Sequence, residues 1–261
     1  MFGEKIIMES PTMSNIQQTL NRLRELRLSS MADAYDLQHQ QPNVYSMGFD
    51  DRFALLVEHE ASARESKKLK RLIQVARFPE SAVMEDLDYS AARELDKSHV
   101  SALAGCEWVR QKLNLVIVGA TGVGKTWLAC AFGTQACRLG MSVAFHRASE
   151  LYGEIAVALH DGSLHKLKSE LNKPNLLVLD DFGLGEISAS VAQVLLDVVD
   201  KRMRSGSLLI TSQYPTKEWH GLFPDPTVAD AILDRVVHQS HRLAVKGESM
   251  RKLQSQKRLQ S

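Results

Sequence analysis

A glycine-rich loop carries the strongest chemical signal in the sequence. Eight consecutive residues fit G-x-x-x-x-G-K-[ST] at every fixed position: Gly119, Ala120, Thr121, Gly122, Val123, Gly124, Lys125 and Thr126. An apolar run precedes the loop and a helix-like segment follows it, which is the context that the pattern requires. The loop's N–H groups and the start of the helix can then face a phosphate, while Lys125 reaches the β and γ oxygens and the Thr126 hydroxyl binds Mg²⁺. We therefore predict a nucleotide phosphate site.

Two carboxylates follow the apolar run Leu176-Leu177-Val178-Leu179. Asp180 and Asp181 would lie at the carboxyl end of a buried strand, which is where α/β sheets bind ligands. Taken alone, the pattern also fits an ordinary strand end. Beside a phosphate loop, it predicts that Asp180 holds Mg²⁺ through water and that Asp181 orients or deprotonates the attacking water.

Three further polar residues could reach the same nucleotide. Gln213 ends the run Leu208-Leu209-Ile210-Thr211-Ser212 and could contact both water and γ-phosphate, although the run also fits a strand entering a turn before Pro215. Arg235 ends an amphipathic helix and either acts from a neighbouring subunit as an arginine finger or is a solvated helix-end residue. The same two interpretations apply to Arg251.

The elements around these residues follow the rhythm of a parallel α/β sheet. Strands are predicted at 115–118, 142–145, 176–179, 208–211 and 242–245, and helices at 126–139, 150–159 and 188–204. Such alternation implies βαβ units. The strand–helix unit at 142–159 separates the two main motifs, which indicates the branch of phosphate-loop folds that has another strand inserted between them.

The first hundred residues contain no strand-like segment. Helical spacing predicts one amphipathic helix over residues 14–31 and a longer one from Asp50 to the stretch before Pro79, with Phe53, Leu56, Leu69, Leu72 and Ile73 on its inner face. We predict an all-helical amino-terminal domain over residues 1–105, for DNA binding and assembly, and an ATPase domain over 106–261.

Composition narrows the class of protein. The 261 residues include 32 basic and 31 acidic side chains, a net charge of +1, so any nucleic-acid binding must come from local patches. No segment is apolar enough for a membrane helix or a secretory signal, and the three cysteines form no metal or disulfide pattern. We expect a soluble cytoplasmic protein with reduced, buried thiols.

One helix provides a basic patch. The stretch 63–77 has six basic residues and one acidic residue, and the DNA-binding candidates in it are Arg64, Lys67, Lys68, Lys70 and Arg71. A helix of this kind can lie along phosphates and release counterions, although a charge run is more often a solvated face. With only 6% aromatic residues, base stacking on single strands is not indicated, and contact with the backbone of a duplex fits better.

These motifs together resemble the DnaC-like AAA+ ATPases and, among them, the IstB-type helpers of insertion-sequence transposition. The resemblance covers nearly the whole chain and rests also on Phe53-Ala54-Leu55-Leu56, Asp180-Asp181-Phe182-Gly183, Leu233-Asp234-Arg235 and Lys246-Gly247-Glu248-Ser249. It implies an AAA+ fold with a five-stranded parallel sheet, and ATP and Mg²⁺ bound at the boundary between subunits of a homo-oligomer. It also implies ATP-dependent assembly on duplex DNA, and delivery of target DNA to, or activation of, the transposase of the same element.

Two positions depart from the family pattern. Asp181 stands where most AAA+ enzymes have glutamate, and Gln213 stands where asparagine is usual. The shorter carboxylate predicts slow hydrolysis, while assembly driven by ATP binding survives both departures. Three alternatives share the phosphate loop: a helicase loader of the DnaC type, a nucleotide-gated scaffold that does not hydrolyse ATP and, more distantly, a small-molecule kinase.

Overall fold

A five-stranded parallel sheet forms the centre of the ATPase region. The computed structural model describes residues 13–41, 46–89, 93–250 and 252. The strands are β1 (Asn114–Gly119), β2 (Val143–Arg147), β3 (Leu176–Asp180), β4 (Ser207–Ser212) and β5 (Ser240–Val245). Their order across the sheet is β2-β3-β4-β1-β5, and every neighbouring pair is parallel. This confirms the predicted α/β fold, with β4 inserted between the strands that carry the two main motifs.

Helices cover both faces of the sheet, as parallel strands require. They are α6 (Lys125–Arg138), α7 (Ala148–Asp161), α8 (Leu164–Asn172), α9 (Ala189–Ser205) and α10 (Pro226–Val237). Side-chain caps define two of their starts: Ser188 accepts the N–H of Val191 before α9, and Asp225 accepts the N–H of Thr227 before α10. The sequence pattern did not predict α8. This helix has nine residues, and its few apolar positions lie among charged and polar ones.

Arg202 closes the end of the sheet opposite the carboxyl ends of the strands. Its side chain is 1% exposed and donates hydrogen bonds to the carbonyl oxygens of Leu171, Pro174, Asn175 and Ser207, at 2.7 to 3.2 Å. Burial lowers the pKa of this arginine to about 10. One side chain thus connects the end of α8, the entry to β3 and the start of β4.

The segment before β1 belongs by its contacts to the ATPase unit. The chain divides into two compact units, residues 1–70 and 71–261. The second unit includes α4 (Lys97–Ala104) and α5 (Glu107–Arg110), and Ala82 is buried in one cluster with Cys130 and Ala131 of α6. This division lies earlier than the predicted boundary at residue 105, and Phe78 and Met84 also pack against the cluster that Ala82 forms with α6.

The first unit contains α1 (Met13–Glu25), α2 (Ser29–Gln40) and most of α3 (Phe49–Ala76). The prediction of one helix over residues 14–31 was wrong, since Arg27 has a left-handed φ of 59° and breaks the chain into α1 and α2. Leu56 is buried as predicted for the inner face of α3. Phe53 and Ile73 were assigned wrongly to that face, because their side chains are 52% and 36% exposed.

A buried glutamate fixes the α1–α2 turn against α3. The Glu60 carboxylate accepts a hydrogen bond from the Met31 N–H at 2.9 Å and pairs with Arg64 at 2.7 Å. Arg64 in turn donates to the carbonyl oxygen of Arg27 at 3.1 Å. These contacts hold the pKa of Glu60 below its usual value, through Arg64 first and the Met31 N–H second.

All three cysteines are buried and free, as predicted. Burial raises the pKa of Cys106 and Cys137 to about 11 and that of Cys130 to about 12. Among the described residues, no helix has both the length and the apolar character that crossing a membrane requires.

Candidate functional site

The predicted phosphate loop connects the end of β1 to the start of α6. Gly124 has a φ of 95°, a left-handed conformation that glycine adopts without strain, and it directly precedes the first residue of α6. A Cβ on Gly119 would lie 2.2 Å from the carbonyl oxygen of Val245, so only glycine fits beside β5. The loop therefore has the backbone shape that lets N–H groups and the N-terminus of α6 converge on an anion.

Lys125 lies inside this loop. Its side chain is 5% exposed, and its ammonium group donates a hydrogen bond to the carbonyl oxygen of Ala120 at 3.0 Å. Burial lowers the pKa of Lys125, while the charges of Asp181 and Asp180 act in the opposite direction. The ammonium group is thus placed across the loop, where it can bind phosphate oxygens.

Asp180 and Thr126 meet as predicted for a magnesium site. The Thr126 hydroxyl donates to the two carboxylate oxygens of Asp180 at 3.1 and 2.9 Å. Burial raises the pKa of Asp180, and a hydrogen bond from Thr211 opposes that shift. A hydroxyl and a carboxylate side by side at the end of a phosphate loop are the oxygen ligands that Mg²⁺ takes together with phosphates and water. The residues present therefore fit the predicted ion.

Thr211 is a site residue that sequence reasoning did not select. It donates to Asp180 at 2.6 Å, and its hydroxyl accepts the N–H of Asp181 at 2.9 Å. The sequence pattern favours Gln213, two residues further on. The available signal was that Thr211 is the first polar side chain after the apolar run, but only the parallel pairing of β3 with β4 places it beside Asp180.

Asp181 lines the same cavity as Lys125 and has a φ of 55°. Among residues with a Cβ, aspartate and asparagine are enriched in this left-handed region, whereas glutamate is not. The backbone here provides a physical reason for the shorter acid at this position.

Gln213 also reaches the phosphate loop. Its side-chain oxygen accepts a hydrogen bond from the Thr121 hydroxyl at 2.8 Å. A side chain at the end of β4 is thereby connected to the loop that follows β1. Gln213 thus contacts the site by a hydrogen bond to the phosphate loop, and not by a hydrogen bond to Asp180 or Asp181.

A cavity of about 520 Å³ opens over the loop. Its volume is in the usual range for small-molecule sites. One part of its wall is made of predicted residues: Thr121, Gly122, Gly124, Lys125, Thr126 and Asp181. The other part is made of residues that no motif indicated: Glu80, Asp86, Asp88, Arg93, Trp127, Leu184 and Met250.

The carboxyl-terminal segment also contacts the loop. The N–H of Met250 donates to the carbonyl oxygen of Gly122 at 2.9 Å, and a Cβ on Gly122 would lie 2.4 Å from the Ser249 hydroxyl. The predicted nucleotide contact of Arg251 lies outside the described residues.

Arg235 does not line the cavity of its own chain. It is at the end of α10, 31% exposed, where it pairs with Asp200 of α9 at 2.8 Å and donates to the carbonyl oxygen of Ala231 at 2.8 Å. It is therefore held by an ion pair, which neither of the two interpretations from sequence had foreseen.

The predicted DNA contacts lie along α3. Lys67, Lys68, Lys70 and Arg71 are exposed there. Arg64 is committed in part to Glu60 and the carbonyl oxygen of Arg27, so it also has a structural role in its own unit.

Comparison with known proteins agrees with this site. The model of the family described as "IstB-like ATP binding protein" matches residues 21–258. A Sinorhizobium fredii protein named as an insertion-sequence ATP-binding protein is 40% identical over 243 residues, which cover 93% of this chain and 98% of that relative.

Two solved structures share the fold. The crystal structure of DnaI matches 66% of this chain and 93% of its own with a TM-score of 0.56 at 20% identity. That of the DnaC helicase loader matches 65% and 99% with a TM-score of 0.52, also at 20% identity. The α/β architecture is thus that of the DnaC-like AAA+ domains, and the resemblance found in the sequence is confirmed. With the family model spanning almost its whole length, the chain belongs to the IstB-like ATP-binding proteins.

Proposed function

We propose that the chain is an ATP-dependent, DNA-binding helper of insertion-sequence transposition. In this proposal it assembles on duplex DNA when ATP binds, and it delivers that DNA to the transposase of the same element or activates the transposase. The observation that carries the ATP part is the contact of Thr126 with Asp180 beside a buried Lys125. The name of the Sinorhizobium relative, an insertion-sequence ATP-binding protein, supports the transposition part.

Each residue of the site has a definite task in this mechanism. Bound Mg²⁺ neutralises charge on the phosphates. Lys125 binds the phosphate oxygens, Thr126 and Asp180 hold the ion, and Thr211 keeps Asp180 oriented through their 2.6 Å hydrogen bond. Asp181 orients or deprotonates the attacking water from the cavity wall. Its short side chain gives slow hydrolysis to ADP and phosphate, so that ATP binding drives assembly and hydrolysis reverses it.

Gln213 would report the state of the nucleotide. Its hydrogen bond to Thr121 connects β4 to the phosphate loop. A γ-phosphate in the loop competes for the same polar groups, so Gln213 can respond to its presence.

Arg235 would act in a neighbouring subunit. An arginine that reaches a nucleotide across a subunit boundary contributes only when both the γ-phosphate and the neighbour are present. Asp200 binds Nε and the carbonyl oxygen of Ala231 binds one terminal nitrogen of Arg235, which leaves N–H groups on the guanidinium for a phosphate. The two contacts would set the direction of the finger.

The basic face of α3 would contact the DNA backbone. Exposed lysines bind phosphates without reading sequence, and each contact releases counterions. Lys67, Lys68 and Lys70 have the exposure that this requires. The result would be duplex binding that weakens steeply with salt.

The experiment that tests this function measures binding of labelled duplex and single-stranded DNA across a salt series. It is done with ATP, with ADP and with the Lys125→Ala variant, and particle mass is recorded in parallel. We expect assembly on duplex that requires both ATP and Lys125. Preference for single strands would point instead to a helicase loader. Absence of DNA binding in every nucleotide state would refute both and would direct attention to phosphate acceptors of a kinase. Assembly without any phosphate release would identify a nucleotide-gated scaffold.

A further inference from the structure

A buried arginine stands beside the phosphate loop and has no part in the mechanism above. Arg93 is 6% exposed and lines the 520 Å³ cavity. It comes from the segment before the ATPase core, far in sequence from both main motifs. None of the patterns in the sequence indicated it.

The hydrogen bonds of Arg93 go to main-chain oxygens. One terminal nitrogen donates to the carbonyl oxygen of Val123 at 2.9 Å and the other to that of Asp88 at 3.3 Å. A guanidinium has five N–H donors, so these bonds leave others available. In the described part of the chain, Nε is enclosed without a hydrogen-bond partner.

The positive charge of Arg93 is only partly compensated. Among the described residues, no ion pair within 4.0 Å joins it to a carboxylate, and the carboxylate of Asp88 interacts with it at longer range. Burial lowers the pKa of Arg93, which is the direction expected for a cation removed from water. Buried cations without a close counter-ion are costly, so an anion at this place would be stabilising.

The position of Arg93 indicates which anion. A Cβ on Gly124 would lie 2.7 Å from a terminal nitrogen of Arg93, so the guanidinium touches the backbone of the phosphate loop just before Lys125. The backbone of Arg93 is also held by the residue that follows β5, since its carbonyl oxygen accepts the N–H of Lys246 at 3.4 Å. Neighbouring Glu94 pairs with the Lys246 ammonium at 2.7 Å.

We propose that Arg93 is a second phosphate-binding cation of the nucleotide site, acting beside Lys125. This inference rests on the proposed nucleotide-binding function and adds a residue to it.

The test compares Arg93→Gln and Arg93→Lys with the wild-type protein and with a matched control, Arg110→Gln. Arg110 is a half-exposed arginine of the same unit that pairs with Glu107 and does not line the cavity. The probes are Mg²⁺-ADP and Mg²⁺-tripolyphosphate, and dissociation constants are measured by calorimetry. The unfolding temperature is recorded with and without each probe.

We expect Arg93→Gln to weaken binding of both probes about tenfold or more, because one charge-assisted contact to phosphate is lost. Arg93→Lys keeps the charge and should stay within a few fold of wild type, and Arg110→Gln should match wild type. The rise in unfolding temperature on adding either probe should shrink in Arg93→Gln.

Three outcomes would overturn the proposal. One is weaker ADP binding with unchanged tripolyphosphate binding, which would place the contact on the nucleoside. Another is a lower unfolding temperature of the free protein with unchanged affinities, which would make Arg93 a structural residue. The third applies if Arg93→Gln does not fold. If Arg93→Lys then both binds the probes more weakly than wild type and has a lower unfolding temperature without them, the substitution causes a packing defect. The Lys125→Ala variant distinguishes failure of this inference from failure of the proposed nucleotide-binding function. Normal ADP binding by that variant would refute the nucleotide site itself.

Discussion

The two compact units of this chain are stabilised in different ways. In the ATPase unit, all residues of β3 and β4 are buried. In the described part of the helical unit, the buried apolar side chains are Leu20, Ala32 and Leu56. The ATPase unit thus has a continuous core, whereas the helical unit has a few buried apolar side chains together with the ion pair between the buried Glu60 carboxylate and the exposed Arg64.

The helical unit also exposes apolar surface. Among its described residues, the exposed large apolar side chains are Leu26, Leu37, Met47, Phe49, Phe53, Leu55 and Val57. Phe49 and Phe53 stack with their ring centroids 6.0 Å apart. The same chain thus combines a unit with an extensive buried core and a unit whose exposed apolar side chains are available for contacts.

The sequence offers a direct way to follow the two units separately. All three tryptophans, Trp108, Trp127 and Trp219, lie in residues 71–261. Tryptophan fluorescence therefore reports unfolding of the ATPase unit, while hydrogen exchange of α1 and α2 reports the helical unit.

The largest effect should come from Arg202→Met in the ATPase unit. Four carbonyl oxygens lose the hydrogen bonds that Arg202 donates, and we expect a loss of about 4 kcal/mol in the free energy of unfolding. Urea denaturation followed by tryptophan fluorescence measures it. The control is Arg204→Met on the same helix, whose side chain is 82% exposed and which should change stability by less than about 0.5 kcal/mol. A loss below 1 kcal/mol for Arg202→Met would mean that the core does not need this connection.

Leu56→Ala should have the largest effect on the helical unit. Removing a buried leucine costs about 2 to 3 kcal/mol, and the tryptophan transition should be unchanged. Hydrogen exchange of α1 and α2 should become faster. Leu55, its neighbour, is 51% exposed, and Leu55→Ala should leave the exchange rates near those of wild type. If the tryptophan transition shifts with Leu56→Ala, the two units do not unfold independently.

Glu60→Gln should destabilise the helical unit by about 1 kcal/mol at neutral pH, because it removes the charge that Arg64 and the Met31 N–H bind. Since the pKa of Glu60 is below its ordinary 4.5 in the folded chain, the stabilisation is present above that value and is lost as the pH falls through the lower folded pKa. The difference between wild type and variant should therefore vanish in acid. The exposed Glu58→Gln serves as control, and a difference that persists at low pH would contradict the role of the charge.

The smallest effect should come from Phe53→Ser. A phenylalanine in a core costs 3 to 5 kcal/mol when truncated, but this side chain is 52% exposed, so we expect less than about 1 kcal/mol. Thermal unfolding followed by circular dichroism measures the change. A large loss of stability would show that this surface is packed and not available for contacts.

The sequence predicts features that are encoded within one segment, but not those that depend on contacts between distant segments. The phosphate loop and Asp180 were predicted because their signals are local: fixed spacing in one case and a strand ending in an acid in the other. The bond between Thr211 and Asp180 joins residues 31 apart and depends on strand pairing, which no single segment encodes. Arg93 belongs to no motif, and only the fold brings it to the loop.

Errors were concentrated in the helical unit for a physical reason. Helical spacing shows which residues share a face, but not whether anything covers that face, so Phe53 was assigned wrongly to the interior. The break at Arg27 has no glycine or proline to announce it. Its left-handed backbone is compatible with the hydrogen bond that its carbonyl oxygen accepts from Arg64, a contact between residues 37 apart.

The three buried cysteines should react only slowly with thiol-specific reagents. Thiolate is the reactive form, and pKa values of about 11 to 12 keep Cys106, Cys130 and Cys137 protonated at the pH of maleimide labelling. A cysteine introduced at an exposed position of α3, such as Lys67, should therefore react far faster than the native three. The chain can thus receive a single dye or crosslinker without removal of its own cysteines.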